Sequence, residues 1–307
     1  MIESPCYFGI DGGGTFSRLA LTDNSGNVLA SSKAGSTNIY SVSKDEVYKN
    51  LASLFYSALK TAGIEKSNLA AGCIGSAGLG RNEEKIIFRG FFNKLFWEGF
   101  PVNLCTDAEI LLCGALKNLE GYCLIAGTGS IAMGRNLKSD LVRSGGYGYM
   151  LGDEGSAAWI GKNAVVRILR SLEKRDLPTD MTDAILEAAG LASYDDLIRY
   201  VHHEAGKSKI AAIAPLVTAA ARKNDPLALD ILYCGAEELA LLVKSVIDRS
   251  PGINNNELVL AGGVIEHDEI ITGKLKEILA GQFPDLKISL PRGTALEGAC
   301  MIAINNK

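Results

Sequence analysis

The sequence predicts an α/β protein built from two similar halves, and three patterns in the chain carry that prediction. A strand, a turn of glycine and threonine, and a second strand occur near the N-terminus and again about 115 residues later. An apolar strand that ends in small residues ahead of a helix occurs at residues 69–78 and again at 258–263. Much of the remaining chain has the composition and periodicity of helix. An internal duplication explains the two repeats, and we place the boundary between the halves near residues 116–121.

The first half opens with three strands and a glycine turn. Residues 7–11 form a short apolar strand, the turn follows at 12–15, residues 16–21 alternate like a half-buried strand, and a third strand begins at Val28. A dinucleotide-binding Rossmann site needs a helix after its glycine turn. Because this turn joins two antiparallel strands, and Ser17 replaces the last glycine of the spacing, the sequence excludes such a site.

Helices and strands alternate through the rest of the first half. A capping box at Ser43 and Glu46 marks the start of one helix, and Gly63 suits its C-cap. In chain order the predicted elements are a helix at 43–63, a strand at 69–74, a small-residue loop at 75–80, a strand at 102–105 and a helix at 108–119.

The second half repeats the strands before it becomes mainly helical. Alanine and leucine dominate the helical stretch. In chain order the predicted elements are a strand at 122–126, a glycine turn at 127–130, a strand at 131–134, helices from 156 to about 249, a strand at 258–261 and a last helix at 294–303.

The composition of the 307-residue chain argues against several classes of function. Lys and Arg number 31 and Asp and Glu number 35, so the net charge of −4 offers no electrostatic footprint for nucleic acid. The seven cysteines form no Cys-x-x-Cys pair, and several lie in apolar runs, which indicates buried free thiols in a reducing compartment. The N-terminal segment has no signal-peptide pattern, and the longest small-apolar run is too short to span a bilayer. We therefore expect a cytoplasmic protein without nucleic-acid or membrane partners.

The two glycine turns are predicted to hold phosphate. Backbone N–H groups at glycine approach an anion closely because no Cβ intervenes, and Thr15, Thr128 and Ser130 add hydroxyl donors. A single turn of this kind is equally well explained as a tight hairpin, but two in duplicated positions favour the phosphates of one nucleotide. Asp11, at the end of the first strand, is placed to hold Mg²⁺ through water.

Two acidic features are candidates for chemistry. Asp107 follows a buried strand and precedes a helix, so it serves either as an N-cap or as a general base for a substrate hydroxyl, and the two roles are compatible. Residues 145–155 contain five glycines, two tyrosines and the pair Asp153 and Glu154. Carboxylates and aromatic rings suit a sugar, so we predict a binding loop. The alternative is an acidic first turn that complements a helix dipole.

The glycines concentrate around these features. The chain has 34 of them, more than the usual share of ~7%. We expect the excess to serve places where the backbone approaches phosphate, sugar or adenosine. Those places are residues 12–14, 75–80, 127–129, 145–155 and 262–263.

These motifs together resemble the N-acetylglucosamine kinases of the BadF/BadG-type ATPase family, within the sugar kinase/actin/hexokinase superfamily. The resemblance implies two ribonuclease-H-like, actin-like ATPase domains with the active site in a cleft between them. We expect the domains at 1–117 and 118–293, the second with a helical insertion, and a C-terminal helix at about 294–307 that packs on the first. The motifs that carry the resemblance lie at residues 10–15, 36–38, 106–108, 127–130 and 145–156.

The resemblance also implies a reaction and the residues that perform it. The reaction is ATP- and Mg²⁺-dependent phosphorylation of the 6-hydroxyl of N-acetylglucosamine or N-acetylmuramic acid, in the salvage of cell-wall amino sugars by a homodimer. Asp107 is implied to be the base. The implied sugar contacts are Asn38, Ile39, Asp107, Ser130, Gly146, Tyr147, Gly148 and Asp153. The implied ATP contacts are Gly13, Gly14, Thr15, Thr128, Ala214, Gly262 and Gly263.

One departure and two alternatives stay open, and a third alternative is disfavoured. Tyr147 stands where the family often has tryptophan, and the smaller ring leaves room for the lactyl ether of N-acetylmuramic acid, whose carboxylate partner the sequence does not identify. A glucosamine kinase is one alternative. A second is an ATPase that activates 2-hydroxyacyl-CoA dehydratases through an iron–sulfur cluster, for which Cys105, Cys113 and Cys123 are candidates by spacing although their apolar contexts favour buried thiols. A sugar-sensing regulator lacks support, because no basic helix-turn-helix segment precedes the first strand.

Overall fold

Each of the two units into which the chain divides contains one five-stranded sheet. The computed structural model describes residues 5–76, 78–250 and 252–305. Unit 1 comprises the described residues of Met1–Gly121, Leu137–Ser139 and Pro291–Lys307, and unit 2 those of Tyr122–Asn136 and Asp140–Leu290. In these ranges no helix combines the length and the apolar character that crossing a membrane requires. The cleft implied by the resemblance stays a prediction.

Unit 1 places its parallel strands so that their carboxyl ends meet at one edge. The strand order is β3-β2-β1-β4-β5. The first three strands pair antiparallel, whereas β4 runs parallel to β1 and β5 parallel to β4. Its elements are β1 (Cys6–Gly12), β2 (Phe16–Thr22), β3 (Val28–Gly35), α1 (Lys44–Ala62), β4 (Leu69–Ser76), α2 (Asn82–Leu95), β5 (Val102–Cys105) and α3 (Asp107–Leu116).

The helix α1 has the predicted position and apolar face, but only the Ser43 half of the predicted capping box forms. The Ser43 side chain accepts the N–H of Glu46, which satisfies one of the free donors at the helix start. Gly63 ends the helix in the left-handed conformation, with φ of 66°. The apolar positions share one face that packs into the unit 1 core, and they are Val47, Leu51, Leu54, Phe55, Ala58 and Leu59.

An aromatic cluster fills the core of unit 1. The ring of Phe8, on β1, has four aromatic neighbours at centroid distances of 4.8 to 5.9 Å. A Cβ on Gly72, in the adjacent strand β4, would lie 2.0 Å from that ring. Glycine at this position therefore makes room for the cluster. The four neighbours are Phe55, Phe92, Phe96 and Phe100.

Unit 2 repeats the strand order of unit 1 and adds helices. Its sheet order is β8-β7-β6-β9-β10, so its first, second, third, fourth and fifth strands occupy the same relative places as in unit 1. This agreement confirms the predicted α/β fold and supports the internal duplication. The elements are β6 (Gly121–Ala126), β7 (Ser130–Arg135), β8 (Leu141–Gly145), α4 (Ala157–Leu172), α5 (Met181–Ala189), α6 (Tyr194–His203), α7 (Lys207–Ala211), α8 (Ala214–Ala221), α9 (Pro226–Asp248), β9 (Glu257–Ala261), α10 (Gly263–His267), α11 (Glu269–Gln282) and β10 (Lys287–Ser289).

The last helix, α12 (Ala295–Ile304), belongs to unit 1 and packs closely on α3 and β1. A Cβ on Gly114 would lie 1.9 Å from the carbonyl oxygen of Thr294, and one on Gly298 would lie 1.9 Å from that of Ile110. The two glycines let the helix backbones touch. Residues 306 and 307 of the expected C-terminal helix lie outside the described residues.

Several element predictions were incomplete. The helix predicted at 108–119 begins at Asp107 and ends at Leu116, because Lys117 turns to the left-handed conformation with φ of 51°. The sequence analysis did not identify α2, β8 or β10. The strands β8 and β10 are short and have no fully buried face, so apolar and polar residues alternate only weakly along them.

Candidate active site

Two carboxylates meet at the carboxyl edge of the unit 1 sheet. Asp11 lies near the end of β1, and Asp107 follows the end of β5. The strands β1, β4 and β5 are parallel, so their ends converge at this edge. The two acids lie close enough that the negative charge of Asp11 raises the pKa of the Asp107 carboxyl.

Thr106, rather than Asp107, caps the helix that follows β5. The Thr106 hydroxyl accepts the N–H of Glu109 at 3.2 Å, and the Glu109 carboxylate accepts the N–H of Thr106 at 2.8 Å. The predicted N-cap role for Asp107 is therefore wrong. Asp107, an exposed residue, occupies the first helical position, where its carboxylate accepts the neighbouring N–H of Ala108 at 3.0 Å. It is free of the capping role and remains accessible.

The surroundings of Asp107 suit a proton acceptor. Although part of the residue faces solvent, nearby protein atoms displace water from the carboxyl group and raise its pKa above the usual value for aspartate. The Asp11 charge raises the pKa further, while backbone hydrogen bonds oppose the shift. A carboxylate with a raised pKa is a stronger base than an ordinary aspartate.

The glycine turn of unit 1 is closed by its own backbone. The N–H of Gly13 donates to the carbonyl of Phe16 at 3.1 Å, and a Cβ on Gly13 would lie 2.6 Å from that oxygen. In the described part of the chain, the N–H groups of Gly14 and Thr15 donate no hydrogen bond. Thr15 is exposed. The turn therefore presents N–H and hydroxyl donors to an anion, as predicted for phosphate.

Hydroxyl groups support this turn from behind. The Ser36 hydroxyl donates to the carbonyl of Gly13 at 3.0 Å. The hydroxyls of Thr37 and Ser17 hydrogen-bond at 2.8 Å, and a Cβ on Gly12 would lie 2.6 Å from the Thr37 oxygen. The segment that carries these groups is thereby held against the turn.

The predicted sugar contacts Asn38 and Ile39 continue the same segment and are half-buried. The Asn38 side chain accepts the N–H of Tyr40 at 2.9 Å, and its oxygen lies 2.9 Å from the place of a Cβ on Gly78, just after β4. The structure thus places both residues at the edge that holds Asp11 and Asp107.

Asp11 has a partner that the sequence analysis missed. One of its carboxylate oxygens accepts from the Arg18 guanidinium at 2.7 Å, and the side chain is partly exposed. The second oxygen suits the predicted water-mediated contact with Mg²⁺, which prefers to keep its hydration shell. Among the described residues no cluster of three His, Cys, Asp or Glu side chains could hold a metal.

Unit 2 contains a cavity of about 680 Å³, a size suited to a nucleotide. A Cβ on Gly127 would lie 3.8 Å from the N–H nitrogen of Gly263, so the second glycine turn adjoins the turn after β9. Gly262 has φ of 101°, and a Cβ there would lie 2.5 Å from the carbonyl of Ala126. The lining residues include the predicted ATP contacts Thr128, Ala214 and Gly263.

The cavity has an apolar wall with fixed polar groups. Ala211, Pro215 and Val264 contribute apolar surface. Asp268 accepts the hydroxyl of Thr218 and caps α11, so its carboxylate is held by the protein. The sequence analysis identified only Ala214 on the helical side, because the other lining residues come from α4, α7, α8 and α10, which are spread over more than a third of the chain.

The glycine-rich loop at 145–156 depends on backbone conformations that glycine favours. Gly145, Gly146, Gly148 and Gly155 have positive φ. The predicted sugar contacts Gly146 and Tyr147 are exposed and Gly148 is half-buried. The loop therefore presents an aromatic ring and accessible backbone to a ligand.

Arg143, at the foot of this loop on β8, places its guanidinium 5.3 Å from the centre of the Tyr147 ring. The residue is exposed. Among the described residues it forms no ion pair. Arg143 is thus a cation beside the predicted sugar loop, and the sequence analysis did not single it out.

The other two predicted sugar contacts of unit 2 are buried. The Ser130 hydroxyl donates to the carbonyl of Glu154 at 2.7 Å. Asp153 accepts the N–H of Ser130 at 3.4 Å with one oxygen and the ammonium of Lys207 at 2.8 Å with the other. Their polar groups are thus engaged within the protein in this structure. Lys207 was missed because nothing in the local sequence links it to a loop 54 positions away.

The cysteines do not support the iron–sulfur alternative. All seven are free thiols and only Cys234 is not buried, as predicted from their apolar contexts. Cys113 and Cys123 have no exposed surface, and Cys105 keeps 7%. Burial raises the pKa of Cys123 to about 12. Thiols enclosed in this way cannot reach a second subunit to share a cluster.

The chain is similar to a known protein family, to named kinases and to solved structures. The family model described as BadF/BadG/BcrA/BcrD ATPase matches residues 8–303. The N-acetylmuramic acid/N-acetylglucosamine kinase of Clostridium acetobutylicum is 36% identical over 298 residues, which are 96% of this chain and 97% of that protein. The N-acetyl-D-glucosamine kinase of Dictyostelium discoideum is 29% identical over 98% of both chains. A solved structure from Chromobacterium violaceum, described as an N-acetylglucosamine kinase, is 26% identical with a TM-score of 0.66 and covers 97% of this chain and 99% of its own.

Proposed function

This chain belongs to the BadF/BadG/BcrA/BcrD ATPase family, and from that premise we propose that it is an ATP-dependent amino-sugar kinase. The acceptor is the 6-hydroxyl of N-acetylglucosamine or N-acetylmuramic acid. The kinase relative that matches along nearly the whole of both chains carries the proposal. The paired carboxylates of unit 1 and the nucleotide-sized cavity of unit 2 support it.

The reaction transfers one phosphoryl group. The oxygen of the sugar hydroxyl forms a bond to the γ-phosphorus of ATP, the bond from that phosphorus to the β–γ bridging oxygen breaks, and ADP leaves. Asp107 accepts the hydroxyl proton. Its raised pKa, its position outside the helix cap and its exposure suit this role, which contributes a factor of ~10²–10⁴ in rate.

The nucleotide is held by backbone and by the cavity. The turns at 12–15 and 127–130 supply N–H and hydroxyl donors to phosphate, and the cavity of unit 2 takes the adenosine. Asp11 would hold Mg²⁺ through water, and a bound ion would supply positive charge that neutralises the phosphates.

The sugar is held by the segment after β3 and by the glycine-rich loop. Asn38 and Ile39 lie at the carboxylate edge of unit 1, while Gly146, Tyr147 and Gly148 form the accessible part of the loop. Tyr147 leaves room for a lactyl group, and Arg143 beside its ring is the cation that a lactyl carboxylate would need. Cytoplasmic action as a homodimer in cell-wall amino-sugar salvage belongs to the same proposal.

A coupled ADP-release assay with four sugars tests this function. With N-acetylglucosamine and N-acetylmuramic acid we expect sugar-dependent ADP release and a product phosphorylated at the 6-hydroxyl, identified by NMR. Glucose and glucosamine are the comparison substrates. Arg143→Gln is expected to lower kcat/KM about two- to fivefold for N-acetylmuramic acid alone, the range for an exposed ion pair.

Three outcomes of the assay would contradict the proposal. ADP release that is equal with and without sugar would exclude a kinase that couples transfer to acceptor binding. Activity with glucosamine alone would show that glucosamine, and not an N-acetylated sugar, is the substrate. An equal effect of Arg143→Gln on both N-acetyl sugars would remove Arg143 from lactyl recognition, and the exposed Arg199→Gln serves as the control for loss of charge.

A further inference from the structure

A lysine stands beside the glycine turn of unit 2. The Lys207 ammonium lies 2.8 Å from a carboxylate oxygen of Asp153. A Cβ placed on Gly129, within the turn, would lie 2.9 Å from that ammonium and 2.7 Å from the same carboxylate oxygen. The ion pair is therefore in contact with the backbone of the turn, and glycine at position 129 leaves the space that the pair occupies.

The two members of the pair differ in exposure. The Asp153 side chain is only 4% exposed, and its backbone has φ of 61°, in the left-handed region where aspartate is found more often than most other non-glycine residues. The Lys207 side chain is 36% exposed. The carboxylate is thus enclosed, while the lysine side chain is partly accessible to solvent. An ammonium has three donors, so contact with Asp153 leaves donors for another acceptor.

If the turn binds phosphate, the negative charge of Asp153 beside it has to be offset by a cation such as Lys207. In the described residues the N–H groups of Thr128 and Gly129 donate no hydrogen bond, so they are available to an anion. The buried Asp153 carboxylate beside them would repel that anion. Lys207 offsets this repulsion and adds an attraction of its own.

We propose that Lys207 is a phosphate-binding residue, whose ammonium contacts the phosphate chain of the nucleotide at the turn 127–130 while Asp153 holds it in place. The inference rests on the proposed function, since it assumes that an adenine nucleotide occupies the cavity of unit 2. Ser208, the next residue, lines that cavity, which places the start of α7 at the same site.

Isothermal titration with ADP and with adenosine distinguishes this role from a structural ion pair. Lys207→Met is expected to weaken ADP binding roughly 10- to 100-fold, the range for a charged hydrogen bond, and to leave adenosine binding unchanged. Lys207→Arg keeps the charge and is expected to bind ADP within a few-fold of the wild type. The matched control is Lys209→Met, since Lys209 lies on the same helix but its ammonium faces the Tyr200 ring.

The outcomes separate this proposal from the proposed function. Equal loss of ADP and adenosine affinity in Lys207→Met would show a structural role and overturn the proposal, as would unchanged ADP affinity. If the wild type binds neither ligand, the nucleotide site itself is wrong and both proposals fall. If Lys207→Met loses the cooperative thermal transition, Lys207→Gln, which can still donate to Asp153, is titrated in its place with the same expected results.

Discussion

The glycine turns of the two units occupy equivalent places but rest on different supports. In unit 1 the turn follows β1 and is supported by the hydroxyls of Ser36 and Thr37. In unit 2 the turn follows β6 and is supported by the ion pair of Asp153 with Lys207. Both turns follow the central strand of a sheet with the same strand order.

This difference shows how a duplicated backbone acquires two chemistries. Neutral hydroxyls lie behind the first turn, the charged groups at that edge are Asp11 with its partner Arg18 and Asp107, and Asp11 raises the pKa of Asp107. A lysine behind the second turn makes that side suited to an anion. The duplicated strands hold both turns, while the groups behind them are neutral hydroxyls in one unit and an ion pair in the other.

The largest expected effect tests the acidic side. Asp107→Asn is expected to lower kcat roughly 10²-fold or more, because the amide cannot accept the sugar proton, with little change in binding of ATP or sugar. The fold raises the pKa of this carboxyl, so its ionised form costs stability at pH above that pKa. The variant is therefore expected to melt at a higher temperature than the wild type at pH 7.

Steady-state kinetics and calorimetric melting measure both effects. Asp45→Asn is the control, because Asp45 is an exposed acid in the first turn of α1. Unchanged turnover in Asp107→Asn would remove the residue from the base role. A lower melting temperature would contradict the stability argument alone.

The next effect compares the two turns directly. A Cβ on Gly129 would lie 2.7 Å from the Asp153 carboxylate, whereas the nearest atom to a Cβ on Gly14 is the Ser41 hydroxyl oxygen at 3.3 Å. Neither glycine has a positive φ. Replacement by alanine therefore tests only whether there is room for a Cβ. Gly129→Ala is expected to weaken ADP binding about fivefold or more, and Gly14→Ala by less. Equal losses of ADP affinity in the two variants would show that the ion pair of Asp153 with Lys207 makes no difference between the turns.

The smallest effect concerns the pH dependence of the acidic side. Asp107 must be ionised to accept a proton, so kcat/KM for the sugar falls as pH falls through its pKa. Asp11→Asn removes a negative charge that raises this pKa, and the acidic limb is expected to move to lower pH, whatever the loss in absolute rate. An acidic limb that stays at the same pH, or moves to higher pH, would show that the Asp11 charge does not raise the pKa of Asp107.

The sequence analysis was strongest where local patterns decide structure. The face of α1, the strands that flank each glycine turn and the repeat of strand–turn–strand were all predicted, because side-chain periodicity and glycine turns act over a few residues. Its account of the glycine excess was incomplete. Gly72 makes room for Phe8, and Gly114 and Gly298 let α3 and α12 touch, so part of the excess serves packing.

By itself, the sequence determined the α/β class, the duplication and the candidate residues at the turns, since each depends on neighbours along the chain. Only the tertiary structure decided which groups those residues meet. It placed Asp11 beside Asp107, assigned the helix cap to Thr106 and brought Lys207 to Asp153 across 54 positions. Hydrogen bonds and charges act over a few ångströms of space regardless of chain separation, so only the folded chain reveals these partners.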